Sequence, residues 1–300
     1  MAQAEAALST ETNKYPLSTP KVQKKHTMLD CVHYSVSKGV IDIAKRLDSF
    51  FRDERVEEEV KQSRVKLRTS IEFSEYESTG FKHSLNVKLT LPQLRNKWQL
   101  FIDNLPDELE RNTINLDDTE TAAGLQYRLS EKLEWLTLNG GIKVKSRPVP
   151  FLKLRSKKSF DFDPWAIHGT QFLFWFEDDG FGETSRLDLE RRLNHILFFR
   201  AVSQATWPEI SHGIEWEQIF SLFHRLHQRQ ALGLTLFAQG PTEPSTVVEE
   251  YSATVRYRFS VYRDWLFFEI APEINFSREN NYKLNPTIHF AVETIFGEYE

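Results

Sequence analysis

The stretch from Glu249 to Glu300 decides the fold of this chain, because it contains three runs in which every second residue is apolar. The runs read Y-S-A-T-V-R-Y-R-F-S-V at 251–261, L-F-F-E-I-A-P-E-I-N-F at 266–276 and I-H-F-A-V-E-T-I-F at 288–296. A period of two predicts β-strands, since successive side chains of a strand point to opposite faces of a sheet. The short link Arg263–Asp264 predicts a tight hairpin turn between the first two strands.

The polar face of these strands carries full charges, which leaves two folds open. A soluble β-sandwich would pack the apolar face in a core, whereas an outer-membrane barrel would place it on lipid and the charges in the lumen. The mean hydropathy of −0.48 does not separate the two, because only alternate residues of a membrane strand need be apolar. No stretch is apolar for long enough to predict a membrane-spanning helix.

The same strand signal continues upstream and predicts about fourteen strands, with twelve as the alternative count; an even number is typical of single-chain bacterial barrels. The predicted strands cover 63–76, 80–91, 96–104, 122–130, 132–146, 149–162, 165–177, 182–193, 195–208, 212–226, 229–240, 249–262, 264–277 and 284–297. The links between them mostly alternate between short and long, except near 77–79 and 147–148. Short periplasmic turns and long outer loops are typical of outer-membrane barrels, and this alternation places both chain ends in the periplasm.

The N-terminal part of the chain has a different pattern. Residues 1–36 are polar and without periodicity, which predicts a disordered lead-in. Residues 37–62 carry apolar side chains at helical spacing, with Ser37 as an N-cap and charged residues on the other side, which predicts an amphipathic helix. Three placements of this helix fit the pattern: on the membrane surface, at the barrel mouth, or in the lumen as a plug. Residues 63–300 form the predicted barrel.

Composition narrows the function. The formal net charge of −5 argues against nucleic acid as a partner, and the single cysteine allows no disulfide within the chain. Aromatic residues make up 13% of the chain. The tryptophans avoid the centres of the predicted strands, as expected for aromatic girdles at the two membrane interfaces. The predicted interface aromatics are Trp98, Trp135, Trp165 and Trp265 at the periplasmic ends, and Trp175, Trp207 and Trp216 at the outer ends.

The charged faces of the strands are the candidate functional site. Basic residues outnumber acidic ones on these faces once the first six predicted strands are included, and rings of Arg and Lys in a pore favour anions. The basic residues that those strands add are Arg64, Lys66, Arg68, Lys82, Lys88, Arg128, Lys143, Lys145, Lys153, Arg155 and Lys157. Charge pairs between neighbouring strands that merely fill a narrow lumen are the alternative explanation. The predicted lumen residues are Arg186, Asp188, Glu190, Arg192, Arg200, Glu215, Glu217, Arg256, Arg258, Glu269 and Glu273.

Signals for catalysis or for a bound cofactor are weak. Ser211 adjoins His212, but a nucleophile also needs a base and an orienting group that meet it in space. His224 and His227 are close in sequence but are poor evidence for a metal without a third ligand. There is no phosphate-binding glycine loop. We therefore predict no catalytic residues, no metal and no cofactor.

Several segments resemble a known family. These are F-L-F-W-F from Phe172, G-E-T-S-R-L-D-L from Gly182, A-T-W from Ala205, G-I-E-W from Gly213 and D-W-L-F-F-E-I from Asp264. They are similar to a family of uncharacterised proteobacterial outer-membrane β-barrel proteins, over about residues 40–298. The resemblance implies a fold and an outer-membrane location but no activity. Members of the family begin with a signal peptide, which we expect to have been removed from this sequence.

These observations predict an all-β protein: a transmembrane, antiparallel, up-and-down β-barrel with an N-terminal amphipathic helix. The leading functional hypothesis is a non-enzymatic, narrow, anion-preferring channel for small solutes in the outer membrane. The alternatives are a structural or envelope-interaction barrel with a closed, charge-filled lumen, and a soluble β-sandwich binding module. The expected partners are outer-membrane lipid, lipopolysaccharide and, during insertion, the barrel-assembly machinery.

Overall fold

The computed structural model describes residues 63–76, 79–90, 98–105, 120–129, 136–144, 147–210, 213–260 and 265–297. The predicted lead-in (1–36) and amphipathic helix (37–62) lie outside these residues. Across the described ranges, no helix is long and apolar enough to cross a membrane. The strands are β1 (Arg64–Ser74), β2 (Gly80–Thr90), β3 (Trp98–Leu105), β4 (Glu120–Arg128), β5 (Leu136–Val144), β6 (Pro148–Phe162), β7 (Trp165–Phe176), β8 (Gly180–Arg192), β9 (Leu197–Pro208), β10 (Glu215–His227), β11 (Gln230–Pro241), β12 (Glu250–Ser260), β13 (Leu266–Ser277) and β14 (Asn285–Gly297).

The described strands form one closed barrel. Each strand pairs antiparallel with its neighbours in the chain, and β1 pairs with β14 from Arg64 opposite Gly297 to Ser74 opposite Thr287. The prediction of a fourteen-stranded up-and-down barrel is therefore confirmed. The alternative of a soluble β-sandwich is wrong, because the described strands make a single sheet closed on itself. The largest difference from the predicted boundaries is at β5, which begins at Leu136 instead of 132.

The period of two gives the closed sheet two chemically opposite faces. Large apolar side chains point outward, among them Phe81 at 67% exposed, Phe181 at 62% and Leu187 at 51%. The inner face carries charge, and Arg258 and Glu293 are 0% and 2% exposed. A soluble protein buries its apolar residues and exposes its charges. This inverted distribution is that of a barrel that crosses a lipid bilayer.

The two ends of the barrel differ in their links. At the end where β1 begins and β14 finishes, here called the terminal end, the turns include 163–164, 193–196 and 228–229. At the opposite end the links include 209–214, 242–249 and 278–284, although 145–147 and 177–179 are short. The longer described links therefore lie mainly at the opposite end.

The outward face generates a prediction that compares two positions of one strand. Phe220 lies in the middle of β10 and Leu226 near its end, and both side chains point outward, 45% and 47% exposed. We expect Phe220→Arg to lower the free energy of unfolding by about 2–4 kcal/mol and Leu226→Arg by about 0–1 kcal/mol, because the cost of a charge on lipid falls towards the interface.

The measurement is denaturant unfolding of each variant from phospholipid vesicles. Equal costs at the two positions would show that this face of β10 is not in contact with the interior of a bilayer.

Candidate functional site in the barrel lumen

The inner face of the sheet brings the predicted lumen residues together. Each of them occupies an inward position of the period of two, on β8, β9, β10, β12 or β13. Glu217 is deeply buried at 3% exposed, whereas Glu215 is exposed at the start of β10. Those on the inner side are Arg186, Asp188, Glu190, Arg192, Arg200, Glu215, Glu217, Arg256, Arg258, Glu269 and Glu273.

Four of the inner charges form a compact group, here called the seam network: Arg68, Arg258, Glu269 and Glu293. Arg258 Nη2 donates to Glu293 Oε1 at 2.6 Å, and Arg68 Nη2 donates to Glu269 Oε1 at 2.8 Å. Arg258 Nη1 also lies 3.5 Å from Glu269 Oε2, and Arg68 Nη1 lies 3.6 Å from Glu293 Oε2. Each arginine thus bridges both glutamates, and the network as a whole is neutral.

The register of the strands produces this network. Arg258 on β12 lies directly opposite Glu269 on β13, and Glu293 on β14 lies directly opposite Arg68 on β1. The ring of Phe267 lies against Arg258, with the guanidinium carbon 4.4 Å from the ring centroid. Charges buried to this degree are stable only when they are paired and hydrogen-bonded. Here each arginine is paired with both glutamates, and each glutamate with both arginines. The network spans the joint at which the barrel closes.

A second group surrounds Glu190 on β8. Arg200 Nε donates to Glu190 Oε1 at 3.1 Å, from the position opposite on β9. His168 Nε2 lies 3.5 Å from Glu190 Oε2, and His168 Nδ1 is 2.8 Å from Ser159 Oγ. His168 is therefore held between a carboxylate and a hydroxyl on the inner face of β7.

Other predicted lumen residues also bond along the wall. Arg186 Nη2 donates to Asp188 Oδ1 at 2.9 Å. Arg192, near the terminal end, donates through Nη2 to Asp163 Oδ1 at 3.3 Å. Glu273 accepts a hydrogen bond from Thr254 Oγ1 at 2.7 Å.

Part of the inner face is aromatic, which the sequence analysis did not predict. Phe101, Phe151 and Phe176 pack together, with centroids 6.3 Å apart for the first pair and 5.8 Å for the second. Gly124 makes room for this group, because a Cβ on it would lie 2.8 Å from the Phe101 ring. Lysine side chains lie over the same surface, and Lys143 Nζ is 5.1 Å from the centroid of Phe176. The one signal for this group is the run at 172–176, which is apolar on both faces of β7.

Charge is distributed unevenly around the lumen. The basic wall consists of the inner basic residues of β4–β6, namely Arg128, Lys143, Lys153, Arg155 and Lys157. Among the described inner side chains of these strands, the one carboxylate is Asp161, exposed at the end of β6. In a ring of fourteen strands, β11–β13 stand opposite β4–β6. Their inner charges form the facing wall, which consists of Glu250, Arg256, Arg258, Glu269 and Glu273.

The described tryptophans lie towards the ends of the strands. At the terminal end, Trp98 packs on Tyr127 at 4.7 Å between centroids, Trp165 lies 4.7 Å from the Arg191 guanidinium carbon and Trp265 packs on Phe296 at 6.5 Å. Trp175, Trp207 and Trp216 lie towards the opposite end. Trp135 lies outside the described residues.

The structure adds little to the weak catalytic and metal signals. Ser211 and His212 lie outside the described residues. His224 points outward from β10, and His227 is exposed at the end of that strand. Within the described part of the chain, no group of three or more His, Cys, Asp or Glu side chains is arranged to hold a metal ion.

No protein-family model and no curated protein sequence matches the chain. Among solved structures, the chain is similar to the KdgM porin in complex with disordered oligogalacturonate, with a TM-score of 0.41, 7% identity and coverage of 78% of this chain and 99% of that one. It is similar to the CymD monoaromatic hydrocarbon channel, with a TM-score of 0.47, 6% identity and coverage of 84% and 93%. It is also similar to a loop L8 deletion mutant of OmpT, an outer membrane protein of Vibrio cholerae, with a TM-score of 0.44, 9% identity and coverage of 78% and 98%. Similarities of this size say nothing about a solute or a partner, and the family resemblance stays a prediction.

The seam network generates a prediction about stability. We expect Arg258→Met to lower the free energy of unfolding by about 3–5 kcal/mol, because it leaves buried carboxylate charge without its partner. The double variant Arg258→Met/Glu293→Met removes one charge of each sign and should be less destabilised than the single variant. Denaturant unfolding in vesicles, followed by tryptophan fluorescence, measures both.

The matched control is the pair of Arg147 and Glu177, whose side chains are 61% and 39% exposed. Arg147→Met should change the free energy of unfolding by less than about 1 kcal/mol, because water already screens this pair. If Arg258→Met costs no more than Arg147→Met, the seam network is not a determinant of stability.

Proposed function

We propose that this protein is a non-enzymatic channel of the outer membrane that passes small solutes and prefers anions. The observation that carries the proposal is the basic wall. It concentrates positive charge on one side of a lumen whose enclosing sheet is apolar on its outer face. Basic side chains in a pore attract anions and repel cations. The outer-membrane location is supported by the closed antiparallel sheet with an apolar outer face.

The two walls differ in the balance of positive and negative charge. On the facing wall, Arg258 and Glu269 belong to the neutral seam network, and Arg256 Nε lies 3.5 Å from Glu269 Oε1. Opposite charges at these distances largely cancel each other's field beyond the pair. On the described inner faces of β4–β6, the five basic residues outnumber the carboxylates, of which Asp161 is the one described. A passing anion is therefore drawn to the basic wall.

The number of strands supports a lumen wide enough for a passage. Barrels of eight strands are filled by their own side chains, whereas barrels of sixteen to eighteen strands leave an aqueous channel. A fourteen-stranded barrel lies closer to the second group. Long side chains and the aromatic group narrow the lumen further.

A closed structural barrel is the second candidate, and the deep burial of inner charges on both sides of the barrel favours it. Lys153 and Arg155 are 8% exposed, and Arg258 is 0% exposed. In this role the barrel would contact envelope components through its ends and would not conduct ions. Absence of conductance from correctly folded protein would select this candidate.

The membrane setting is part of the proposal. Tryptophans at the two ends of the strands would form the interfacial girdles, and the terminal end would face the periplasm, as the link pattern suggests. Lipid and lipopolysaccharide would contact the outer face, and the barrel-assembly machinery would insert the chain.

The test is ion selectivity in a planar bilayer, measured as the reversal potential in a potassium chloride gradient. We expect chloride to be more permeant than potassium, and Lys157→Gln to lower the permeability ratio by up to about fivefold, because a unit charge acts on an ion 4 Å away in water with about 1 kcal/mol. Lys157 is preferable to Arg258 for this test, since Arg258 is fully buried in ion pairs.

The matched control is the next residue of the same strand. Lys158 lies on the outer side of β6, where its Nζ is 5.0 Å from the centroid of Phe160, so Lys158→Gln should leave the permeability ratio unchanged. A channel that prefers potassium, or that responds equally to both substitutions, would contradict the anion preference.

A further inference from the structure

Hydrogen-bonding side chains interrupt the apolar outer face of the barrel on one group of neighbouring strands. On β12 and β13, every outward residue is aromatic, aliphatic or proline. On β6–β10, by contrast, serine and glutamine side chains point outward away from the ends of the strands, and these residues are here called the polar patch. They are Ser156, Gln171, Ser185, Ser203 and Gln218.

The register of the strands makes the polar patch continuous. Gln171 on β7 lies directly opposite Ser156 on β6 and Ser185 on β8. Gln218 on β10 lies directly opposite Ser203 on β9, and Ser203 is the diagonal neighbour of Ser185. The polar patch is therefore one surface that crosses five neighbouring strands.

The hydrogen bonds within the polar patch leave one amide group half used. Ser203 Oγ donates to Gln218 Oε1 at 2.6 Å, and Gln218 Nε2 donates to the backbone oxygen of Val202 at 2.8 Å, so both ends of this amide are bonded. Ser185 Oγ donates to Gln171 Oε1 at 2.6 Å, and within the described part of the chain this is the one hydrogen bond of the Gln171 side chain. One end of the Gln171 amide is thus left for a partner outside the described wall.

The interior of a bilayer is an unfavourable surrounding for such a group. Hydrocarbon supplies no hydrogen-bond partner, so an unsatisfied polar group costs free energy there. Between membrane helices, hydroxyl and amide side chains form hydrogen bonds across the contact, and the same physical reason applies to the wall of a barrel. The polar patch is therefore better matched to protein than to lipid.

The polar patch also has an open space beside a protruding side chain. A Cβ on Gly169 would meet no atom within 4 Å, its two chain neighbours aside. Leu187 lies directly opposite on β8 and protrudes outward, 51% exposed. Lys158 flanks Gly169 on β6, and its Nζ lies 5.0 Å from the centroid of Phe160, nearer to the terminal end. The wall therefore carries a protrusion next to a gap.

This arrangement is complementary to a second copy of itself. In a two-fold dimer the same surface of each copy forms the contact, and an axis along the membrane normal joins residues of equal depth. Directly opposed residues on strands about 4.8 Å apart and tilted by about 40° differ in depth by only about 3 Å. An axis between β7 and β8 therefore places Leu187 of each copy at Gly169 of the other. It also places the unused end of the Gln171 amide near Ser185 of the partner subunit, whose hydroxyl can accept a hydrogen bond.

The area of the polar patch is sufficient for a stable contact. Five strands at about 4.8 Å span about 24 Å, and the membrane-spanning band of a barrel is about 25 Å tall. Each copy would therefore contribute up to about 600 Å², or about 1,200 Å² for the two, and specific interfaces exceed about 1,000 Å².

We propose that the outer face of β6–β10 is a dimer interface, with a second copy of this chain bound to the polar patch in the membrane. The Gln171 amide bonds to Ser185 of the partner subunit, and Leu187 of each copy fills the space at Gly169 of the other. The inference goes beyond the proposed channel function, because it concerns the outer face and holds whether or not the barrel conducts.

The first test is cross-linking of two copies of the full-length protein in phospholipid vesicles with a short bismaleimide. Cys31, the one cysteine of the chain, is first replaced by serine. Ser185→Cys is then compared with Thr69→Cys, a matched outward position in the middle of β1, seven strands away around the ring. We expect a linked dimer from Ser185→Cys and none from Thr69→Cys. Equal linking of the two variants, or no linking of Ser185→Cys, overturns the proposal.

The second test measures the hydrogen bond of Gln171. The dimer dissociation constant is obtained from energy transfer between copies carrying donor and acceptor fluorophores as the lipid is diluted. We expect Gln171→Leu to raise this constant by about threefold to twentyfold, the range for a hydrogen bond between membrane-embedded chains. The matched control Thr69→Val, which also removes an outward polar group, should leave it unchanged. An unchanged or lower constant for Gln171→Leu overturns the proposal, because replacing a lipid-facing amide by leucine would not weaken association.

The third test fills the open space. Gly169→Leu should raise the dissociation constant by about fivefold or more, because the new side chain would collide with Leu187 of the partner subunit. Ala253→Leu adds bulk to the outer face of β12, outside the polar patch, and should have no effect. Equal effects of the two substitutions would contradict the assignment of the interface to β6–β10. None of these measurements depends on ion flow, so they fail or succeed separately from the channel function.

Discussion

The pairing of the first strand with the last is the constraint on which the rest of this structure depends. A sheet in lipid cannot leave backbone N–H and C=O groups at an open edge, because no water is present to satisfy them. Here β1 and β14 meet along the whole of β1, from Arg64 to Ser74. The seam network lies across this joint, since Arg68 belongs to β1 and its partners to β13 and β14. Closure of the backbone and pairing of the inner charges therefore support each other.

Closure also separates two uses of charge. In the seam network and around Glu190, each cation lies beside a carboxylate, so these groups fix the shape of the wall and contribute little field to the lumen. On the described inner faces of β4–β6, basic residues outnumber carboxylates, so this side of the lumen carries an excess of positive charge among the described side chains. Charged residues thus form ion pairs within the wall on one side of the barrel and give a net positive charge on the other.

The sequence predicts the strands and the face of each charged residue because both follow from a local period of two. It does not predict the partners, since Arg68 and Glu269 are 201 residues apart and meet only through the register of three strands. Nor does it predict the aromatic group around Phe151, because the rule of a polar interior holds on average and β7 is apolar on both faces near its end. His168 was missed for the same reason: the period of two is weak in β7, so the inner face of that strand is not evident.

The direction of the ion pairs bears on whether the lumen is open. Every ion pair of the seam network joins strands that are one or two apart along the wall, so the network thickens the wall without reaching across the axis. The seam network therefore fixes the joint of the wall and does not by itself close the lumen.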